Sequence, residues 1–203
     1  MPILGVKVYM DLNKAIDLVK AELVQSRFEH TLRVAEVSKE LAVVYGVAVD
    51  KVQLAAILHD YAKNWPSEKL KSYILDNGLP RELLDFDKEL WHGPVGAHLF
   101  ENQYGVVDQD ILNAIRFHTT GRAEMSLVEM ILYLADYIEP GRSFPGLQEV
   151  RQASEKNLKY ACWLVARNTI MYLMKKNATI HPDSFYAYND FTRYIKTEGL
   201  LNG

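Results

Sequence analysis

The spacing of apolar residues constrains this fold more than any other feature of the sequence, because it repeats with the period of an α-helix along almost the whole chain. Runs that alternate apolar and polar residues are nearly absent, apart from the short segment 5–10. Since the chain has 203 residues and 49% of them are hydrophobic, it is long enough to bury one sizeable core. The sequence therefore predicts an all-α fold that forms one helical bundle.

Helix ends are indicated by capping residues and by helix-breaking glycine and proline. Ser26–Glu29 and Ser126–Glu129 have the form of capping boxes, in which a hydroxyl and a carboxylate satisfy free backbone amides. Gly46 suits a left-handed C-cap, and Gly93–Pro94 suits a helix start. The predicted helices span about residues 12–24, 26–45, 50–60, 67–78, 108–118, 126–138, 147–175 and 183–197, with one more that begins at 93–94.

The bulk properties restrict both the domain organisation and the class of partner. Because no internal repeat, low-complexity tract or linker is found, we expect residues 1–10 to be an N-terminal extension and residues 11–203 to form one domain. A net charge of −3 without a long basic run argues against a nucleic-acid partner. The first ten residues are too short to span a bilayer and lack a signal-peptide pattern, so no membrane partner is expected. The single cysteine, Cys162, rules out an internal disulfide and favours the cytoplasm.

Two sites in the predicted helices place polar groups where apolar ones are expected. The adjacent pair His59 and Asp60 ends an apolar helix, where polar groups are costly unless something satisfies them. Asp136 lies in a helix that is apolar around most of its circumference, so its carboxylate needs a cation, several donors or a proton. Pairing with an arginine is one solution. A metal ion is another, because carboxylate oxygen and imidazole nitrogen both bind divalent iron, manganese, cobalt or zinc.

Three further histidines occupy comparable positions near helix ends. His30 follows the first capping-box motif, His92 precedes a helix start, and His118 ends another helix. Each of them alone is more typical of a structural histidine than of a ligand. With the adjacent pair and the later aspartate they give the order His, His-Asp, His, His, Asp, which indicates a metal centre.

This order resembles the HD superfamily of metal-dependent phosphohydrolases, whose minimal pattern is a His, an adjacent His-Asp and a later Asp. Two more histidines between the pair and the last Asp are typical of the members that hold two metals. The resemblance is closer to the YqeK-type branch, the bacterial symmetrical diadenosine tetraphosphate hydrolases. The blocks that support it are Arg27–Ala35, Ala56–Lys63, Trp91–Ala97, Ile115–Gly121 and Leu134–Arg142. The resembling core therefore covers about residues 26–142, and the C-terminal helices at about 147–197 lie outside it.

The resemblance implies a ligand set and a reaction. One divalent ion would be held by His30, His59, Asp60 and Asp136. Asp60 would also bridge to a second ion completed by His92 and His118, for which the alternative is phosphate binding by the two imidazoles as acids. Iron is the favoured metal, and manganese, cobalt and nickel also fit the ligand types. The implied reaction is attack of a metal-bridging hydroxide on an inner phosphorus of diadenosine tetraphosphate, which releases two ADP, with Asp60 as the catalytic carboxylate.

Residues that follow the predicted ligands are candidates for substrate contacts. Lys63 could neutralise a phosphate or protonate the leaving group, and a solvated lysine is the alternative. Arg122 and Arg142 suit bidentate phosphate contacts, although either could pair with a glutamate instead. Thr119 and Thr120 could donate hydroxyls to phosphate or cap the preceding helix. Lys63 and Arg142 are the favoured contacts, and Lys63 is also the candidate catalytic acid.

Other functions are compatible with the same residues. A (deoxy)nucleotide phosphohydrolase or phosphodiesterase of other specificity would have the same ligand blocks. A mixed-valent di-iron oxygenase would also hold two metals, but the candidate phosphate contacts Lys63 and Arg142 argue against it. A nucleotide-binding regulator would use the site for sensing, although a sensor does not need a bridged pair of metals. We expect a small nucleotide as the partner, and a homodimer is compatible with the sequence.

Overall fold

The computed structural model describes residues 10–200, and within this range the chain forms helices and no β-strand. The all-α prediction is therefore confirmed, whereas the predicted extension 1–10 and the ambiguous segment 5–10 lie, except for Met10, outside the described residues. The α-helices are α1 (Leu12–Glu22), α2 (Gln25–Val44), α3 (Val49–Leu58), α4 (Ser67–Asp76), α5 (His92–Gln103), α6 (Gln109–Phe117), α7 (Leu127–Ile138), α8 (Leu147–Ser154), α9 (Leu158–Lys175) and α10 (Pro182–Thr197). Two short 3-10 helices, Arg81–Asp85 and Lys88–Leu90, connect α4 to α5.

One of the two predicted capping boxes forms. At the start of α7, the Glu129 amide donates to Ser126 Oγ and the Ser126 amide donates to Glu129 Oε1, as predicted. The capping box predicted at Ser26 does not form. The helix α2 begins at Gln25, so Ser26 lies inside it, and the N-cap residue Val24 makes no side-chain capping bond. Instead, the Val24 amide donates to Asn64 Oδ1 at 3.1 Å, so a residue 40 positions away satisfies this helix start.

The prediction of one long helix over 147–175 is also wrong, because the segment is interrupted. The segment forms α8 and α9, which are separated by residues 155–157. Asn157 begins the second helix, because its side chain accepts a hydrogen bond from the Tyr160 amide at 2.9 Å. Ser154, at the end of α8, is held by the Tyr45 hydroxyl, which donates to its carbonyl oxygen at 2.7 Å. The break is thus fixed by a local cap and by a contact from α2.

The core is built around α3 and α7. Nearly every residue of α7 is buried, and this helix packs against α2, α3, α6, α8 and α9. The apolar run Leu54–Leu58 of α3 is buried in the same core, and α9 and α10 add Trp163 and Phe191 from the other side. Two helices of the core therefore deliver His59, Asp60 and Asp136 to one place. Among residues 10–200, no helix combines the length and hydrophobicity that a bilayer crossing requires.

Candidate metal centre

Four histidines, carried by α2, the end of α3, the start of α5 and the end of α6, surround the carboxylate of Asp60. Its Oδ2 atom lies 3.2 Å from His59 Nε2 and 3.7 Å from His30 Nε2. Its Oδ1 atom lies 3.0 Å from His92 Nε2 and 3.8 Å from His118 Nε2. Each oxygen of this buried aspartate therefore faces its own pair of histidines.

Two compact sets of candidate ligand atoms share this aspartate. His30, His59 and Asp60 form one set, and Asp60, His92 and His118 form the other, with the atoms of each set within 4.8 Å of one another. Asp136 joins the first set at its edge, because its Oδ1 lies 3.0 Å from His30 Nε2. The same oxygen accepts a hydrogen bond from Arg142, so the arginine pairing considered for Asp136 exists beside the histidine contact.

The ring nitrogens that face away from the centre determine the tautomer of three histidines. The Nδ1 atoms of His59 and His118 lie 2.6 and 2.7 Å from the backbone carbonyl oxygens of Ala56 and Ile115. His30 Nδ1 lies 3.1 Å from Glu139 Oε1. Because all three partners accept hydrogen bonds, each Nδ1 is the donor and each Nε2 of a neutral ring has a lone pair.

These lone pairs make the centre suitable for binding a cation. The lone pairs face carboxylate oxygens, which also offer only lone pairs, and within residues 10–200 His30 Nε2 and His59 Nε2 have no hydrogen-bond partner of acceptable geometry. Electron pairs that converge in a buried space are costly unless a positive charge lies between them. Imidazole nitrogen with carboxylate oxygen is a donor set for divalent transition metals, so the residues present fit divalent metal binding.

The protonation equilibria agree with that donor set. Burial, together with the neighbouring His92 and His59, lowers the pKa of His118 to about 3. Burial also lowers the pKa of His92, in spite of the nearby Asp60. Burial alone would raise the pKa of Asp60, but His59 and His92 outweigh it and lower the value well below the usual range. An ionised carboxylate with neutral imidazoles is the state in which these groups bind metal.

His59 behaves differently, because the charge of Asp60 outweighs burial and raises its pKa. The aspartate thus draws positive charge toward this side of the centre. A divalent cation between Asp60 and His59 supplies the same charge while it leaves the imidazole neutral.

A glycine permits the close approach of His92 and His118. A Cβ atom on Gly93 would lie 3.0 Å from the carbonyl oxygens of Ile115 and Arg116, so α5 packs on α6 with backbone nearly in contact. This approach places His92 Nε2 and His118 Nε2 2.9 Å apart. Glycine in the block Trp91–Ala97 therefore has a packing role that the sequence alone did not reveal.

Three charged residues at the centre were not predicted from the sequence. Arg27 donates to Asp60 Oδ2 at 2.9 Å, and Glu139 accepts from both His30 and Arg33. Arg27 and Glu139 stand inside the blocks that support the family resemblance, which is the only signal that could have singled them out. Their partners lie far away along the chain, so spacing along one helix could not identify them.

The structure distributes the predicted substrate contacts over three openings. Arg142 lines an open cavity of about 260 Å³ together with Ser26, Arg27 and His30. Lys63 lines a narrow one of about 40 Å³ on the side of His92, where it pairs with Glu89 at 2.9 Å. Arg142 and Lys63 therefore lie on opposite flanks of the ligand set.

The remaining predicted contacts lie elsewhere. Thr119 and Thr120 line a separate cavity of about 150 Å³ beside His181. Arg122 donates through Nε and Nη2 to the two carboxylate oxygens of Glu129, each at 2.6 Å. The glutamate pairing considered for Arg122 is therefore present, and the glutamate is buried rather than exposed.

Comparison with known proteins agrees with the fold and with the family that the sequence resembles. The family model of the HD domain matches residues 27–141, and the chain belongs to the HD domain family. It is 47% identical over 180 residues to the symmetrical bis(5'-nucleosyl)-tetraphosphatase of Bacillus subtilis, covering 89% of this chain and 97% of that protein. The protein of the same name from Staphylococcus aureus is 36% identical over 188 residues, covering 89% of this chain and 97% of that protein.

A solved structure shares the whole architecture. A crystal structure from Clostridium acetobutylicum, described as a predicted HD superfamily hydrolase involved in NAD metabolism, superposes with a TM-score of 0.85 at 36% identity. The alignment covers 91% of this chain and 98% of that one. The resemblance to the HD superfamily and to its symmetrical diadenosine tetraphosphate hydrolase branch, predicted from the sequence blocks, is confirmed.

Proposed function

We propose that this chain is a metal-dependent hydrolase that cleaves diadenosine tetraphosphate symmetrically into two ADP at the centre around Asp60. The observation on which this rests is the arrangement of Asp60 itself, each oxygen of which faces a separate pair of buried histidines. The names of the relatives from Bacillus subtilis and Staphylococcus aureus support the choice of substrate.

The proposed centre holds two divalent ions. His30, His59, Asp60 and Asp136 would bind the first, and Asp60, His92 and His118 would bind the second. Iron is the metal that the family resemblance favours, and manganese, cobalt and nickel suit the same nitrogen and oxygen donors. When bound, such ions supply Lewis-acid activation of water and stabilise negative charge on phosphoryl oxygens.

The side chains around the centre have separate proposed roles. Asp60 would fix the positions of the two ligand sets relative to each other, because it belongs to both sets. Arg27 and Arg142 line the opening beside His30, where their guanidinium groups suit the charge and geometry of phosphates. Lys63 lies on the opposite flank beside His92, where it would bind a phosphate of the departing ADP or donate a proton to it.

The flanking cations suit a symmetrical cut. Cleavage into two ADP requires the central anhydride at the reacting centre and a nucleoside diphosphate on each side of it. One opening is lined by His30 and the other by His92, and the narrow one at His92 would have to widen to admit a nucleotide. The pairings of Arg142 with Asp136 and of Lys63 with Glu89 would exchange for phosphate when substrate binds.

Product analysis tests this function. Purified protein, loaded in turn with iron, manganese or cobalt, is incubated with diadenosine tetraphosphate, and the nucleotides are separated by chromatography. We expect ADP as the sole product. Formation of AMP with ATP would contradict symmetrical cleavage, and turnover of mononucleotides in preference to the dinucleotide would identify a nucleotidase. The cytoplasmic location, the homodimer and the single domain over 11–203 stay predictions.

A further inference from the structure

Glu139 is a buried carboxylate that lies directly behind a candidate metal ligand. It follows α7, its exposed fraction is 1%, and it accepts three hydrogen bonds. The donors are His30 Nδ1 at 3.1 Å, Arg33 Nε at 2.7 Å and the Gly141 amide at 2.6 Å. Because an isolated buried carboxylate is costly, this set of donors indicates a site built to hold a negative charge beside His30.

The other candidate ligands with a defined Nδ1 partner lack such a charge. His59 and His118 each donate to a backbone carbonyl oxygen of the preceding turn. A carboxylate acceptor makes an imidazole more electron-rich than a carbonyl acceptor does, and it also fixes the ring orientation. Of these three histidines, His30 alone has this charged support.

The surroundings of Glu139 are arranged to keep it in place. A Cβ atom on Gly141 would lie 2.6 Å from Arg33 Nη2, so any larger residue at this position would require the Arg33 side chain to shift. On the other side, Arg151 donates to the carbonyl oxygens of Ile138 and Glu139 at 3.0 and 2.9 Å. The side chain and the backbone of Glu139 are therefore fixed independently.

We infer that Glu139 is the positioning residue of the metal centre, which fixes the Nε2 lone pair of His30 toward the first ion and strengthens binding of that ion over the second. This inference rests on the proposed metal binding. Glu139 does not reach the reacting atoms, because its carboxylate contacts the far side of the His30 ring. Its effect is transmitted through the basicity and the orientation of one ligand.

Calorimetric titration of the chelator-treated protein with Co²⁺ tests the inference without any measurement of turnover. Glu139→Gln keeps the size of the side chain and removes its charge. We expect the affinity of one bound ion to fall by about tenfold to a hundredfold, which is the usual cost of losing such a supporting group. Binding of the other ion should stay within about twofold, since its ligands His92 and His118 do not contact Glu139.

Glu129→Gln is the matched control. Glu129 is equally buried at 1% exposure, pairs with Arg122 in the same way that Glu139 pairs with Arg33, and begins α7 instead of ending it. We expect this control to lower the unfolding temperature and to leave both Co²⁺ affinities unchanged. An equal loss of affinity in the two variants, or a loss at both ions in Glu139→Gln, would reveal a general structural effect and overturn the inference.

Nitrogen NMR of the histidines in the wild-type apoprotein provides a test that needs no variant. We expect His30 Nδ1 to carry a proton, which it donates to Glu139. A proton on Nε2 with a free Nδ1 would overturn the inference, whereas a wild-type protein that binds no Co²⁺ would overturn the proposed metal centre itself.

Discussion

The two sets of candidate metal ligands, the halves of the proposed centre, share Asp60 but are built by different means. The half with His30, His59 and Asp136 joins α2, α3 and α7, and charged groups support it from outside. The half with His92 and His118 joins α5 and α6, and it depends on close helix packing at Gly93. Charged groups outside the ligand set therefore determine the geometry of the first half. Close contact between two helices determines the geometry of the second half.

If Asp60 joins two metal sites as proposed, this difference predicts that the two sites respond to different changes. Loss of a charge should weaken the first ion, and added volume between α5 and α6 should weaken the second. Substitutions that act on one half alone therefore separate the two contributions, and substitutions of the shared residue should remove both.

The largest effect is expected for Asp60→Ala, because this residue belongs to both halves. Hydrolysis should fall by about a thousandfold or more, since metal ions contribute several kcal/mol to stabilisation of a phosphoryl transition state. The helical circular-dichroism spectrum should be unchanged. Steady-state turnover with a folded variant is the measurement, and unchanged turnover would remove Asp60 from the mechanism.

A smaller and more selective loss is expected when one histidine is removed from each half. His118→Ala should retain one equivalent of metal, held by the half that contains His30. His59→Ala should weaken that half and leave the atoms of Asp60, His92 and His118 in place. Metal content after dialysis checks this prediction, and loss of both ions in either variant would show that the halves are not separable.

Gly93→Ala should weaken the second ion by about tenfold, because α5 and α6 must separate by a few tenths of an ångström and metal-ligand distances tolerate little displacement. The added methyl group would press on the backbone oxygens of Ile115 and Arg116, which side-chain rotation cannot relieve. Gly96→Ala is the control in the same helix, since its Cβ atom would meet only Ile115 Cγ2 at 3.7 Å. Equal Co²⁺ affinities for the two variants would contradict the steric account.

Arg142→Ala should raise KM by about tenfold with a smaller change in kcat, since a charge-assisted hydrogen bond contributes roughly 1.5 to 3 kcal/mol. The arginine is 38% exposed at the opening beside His30 and is free to exchange Asp136 for phosphate. Arg193→Ala, at an exposed pair with Asp190, is the control. A KM unaffected by Arg142→Ala would assign this arginine to support of Asp136.

The smallest effect on activity is expected for Arg122→Ala. Both kcat and KM should stay within about twofold, because two donor nitrogens of this side chain are used by Glu129. Stability should fall by about 3 kcal/mol, since the buried glutamate would lose its countercharge. Thermal unfolding and steady-state kinetics measure the two quantities, and a tenfold rise in KM without a change in Tm would restore Arg122 as a substrate contact.

The sequence was informative about local features and about the order of the ligands. Ser126 and Asn157 both begin helices through side-chain caps, but only the first was recognised because it belongs to a complete capping box. The Ser26 box failed because α2 begins at Gln25, so Ser26 lies inside the first turn, and Asn64 from a distant turn accepts the preceding Val24 amide. Capping patterns in the sequence therefore predict a helix start reliably when the capping partners lie close together along the chain.

The supporting residues of the centre could not be predicted in the same way. Glu139 and His30 are 109 positions apart, and Arg27 and Asp60 are 33 apart. Such pairs form only because α2 packs against α3 and α7. The spacing of residues within one helix carries no information about this packing. The pairing of Arg122 with Glu129 likewise depends on where α7 begins, which the spacing of residues alone did not decide.

Anomalous diffraction from crystals of the manganese-loaded protein tests the central claim most directly. We predict two peaks within coordination distance of Asp60, one facing His30 and His59 and the other facing His92 and His118. No peak at Asp60, or only a single peak, would contradict a centre in which one carboxylate joins two metal sites.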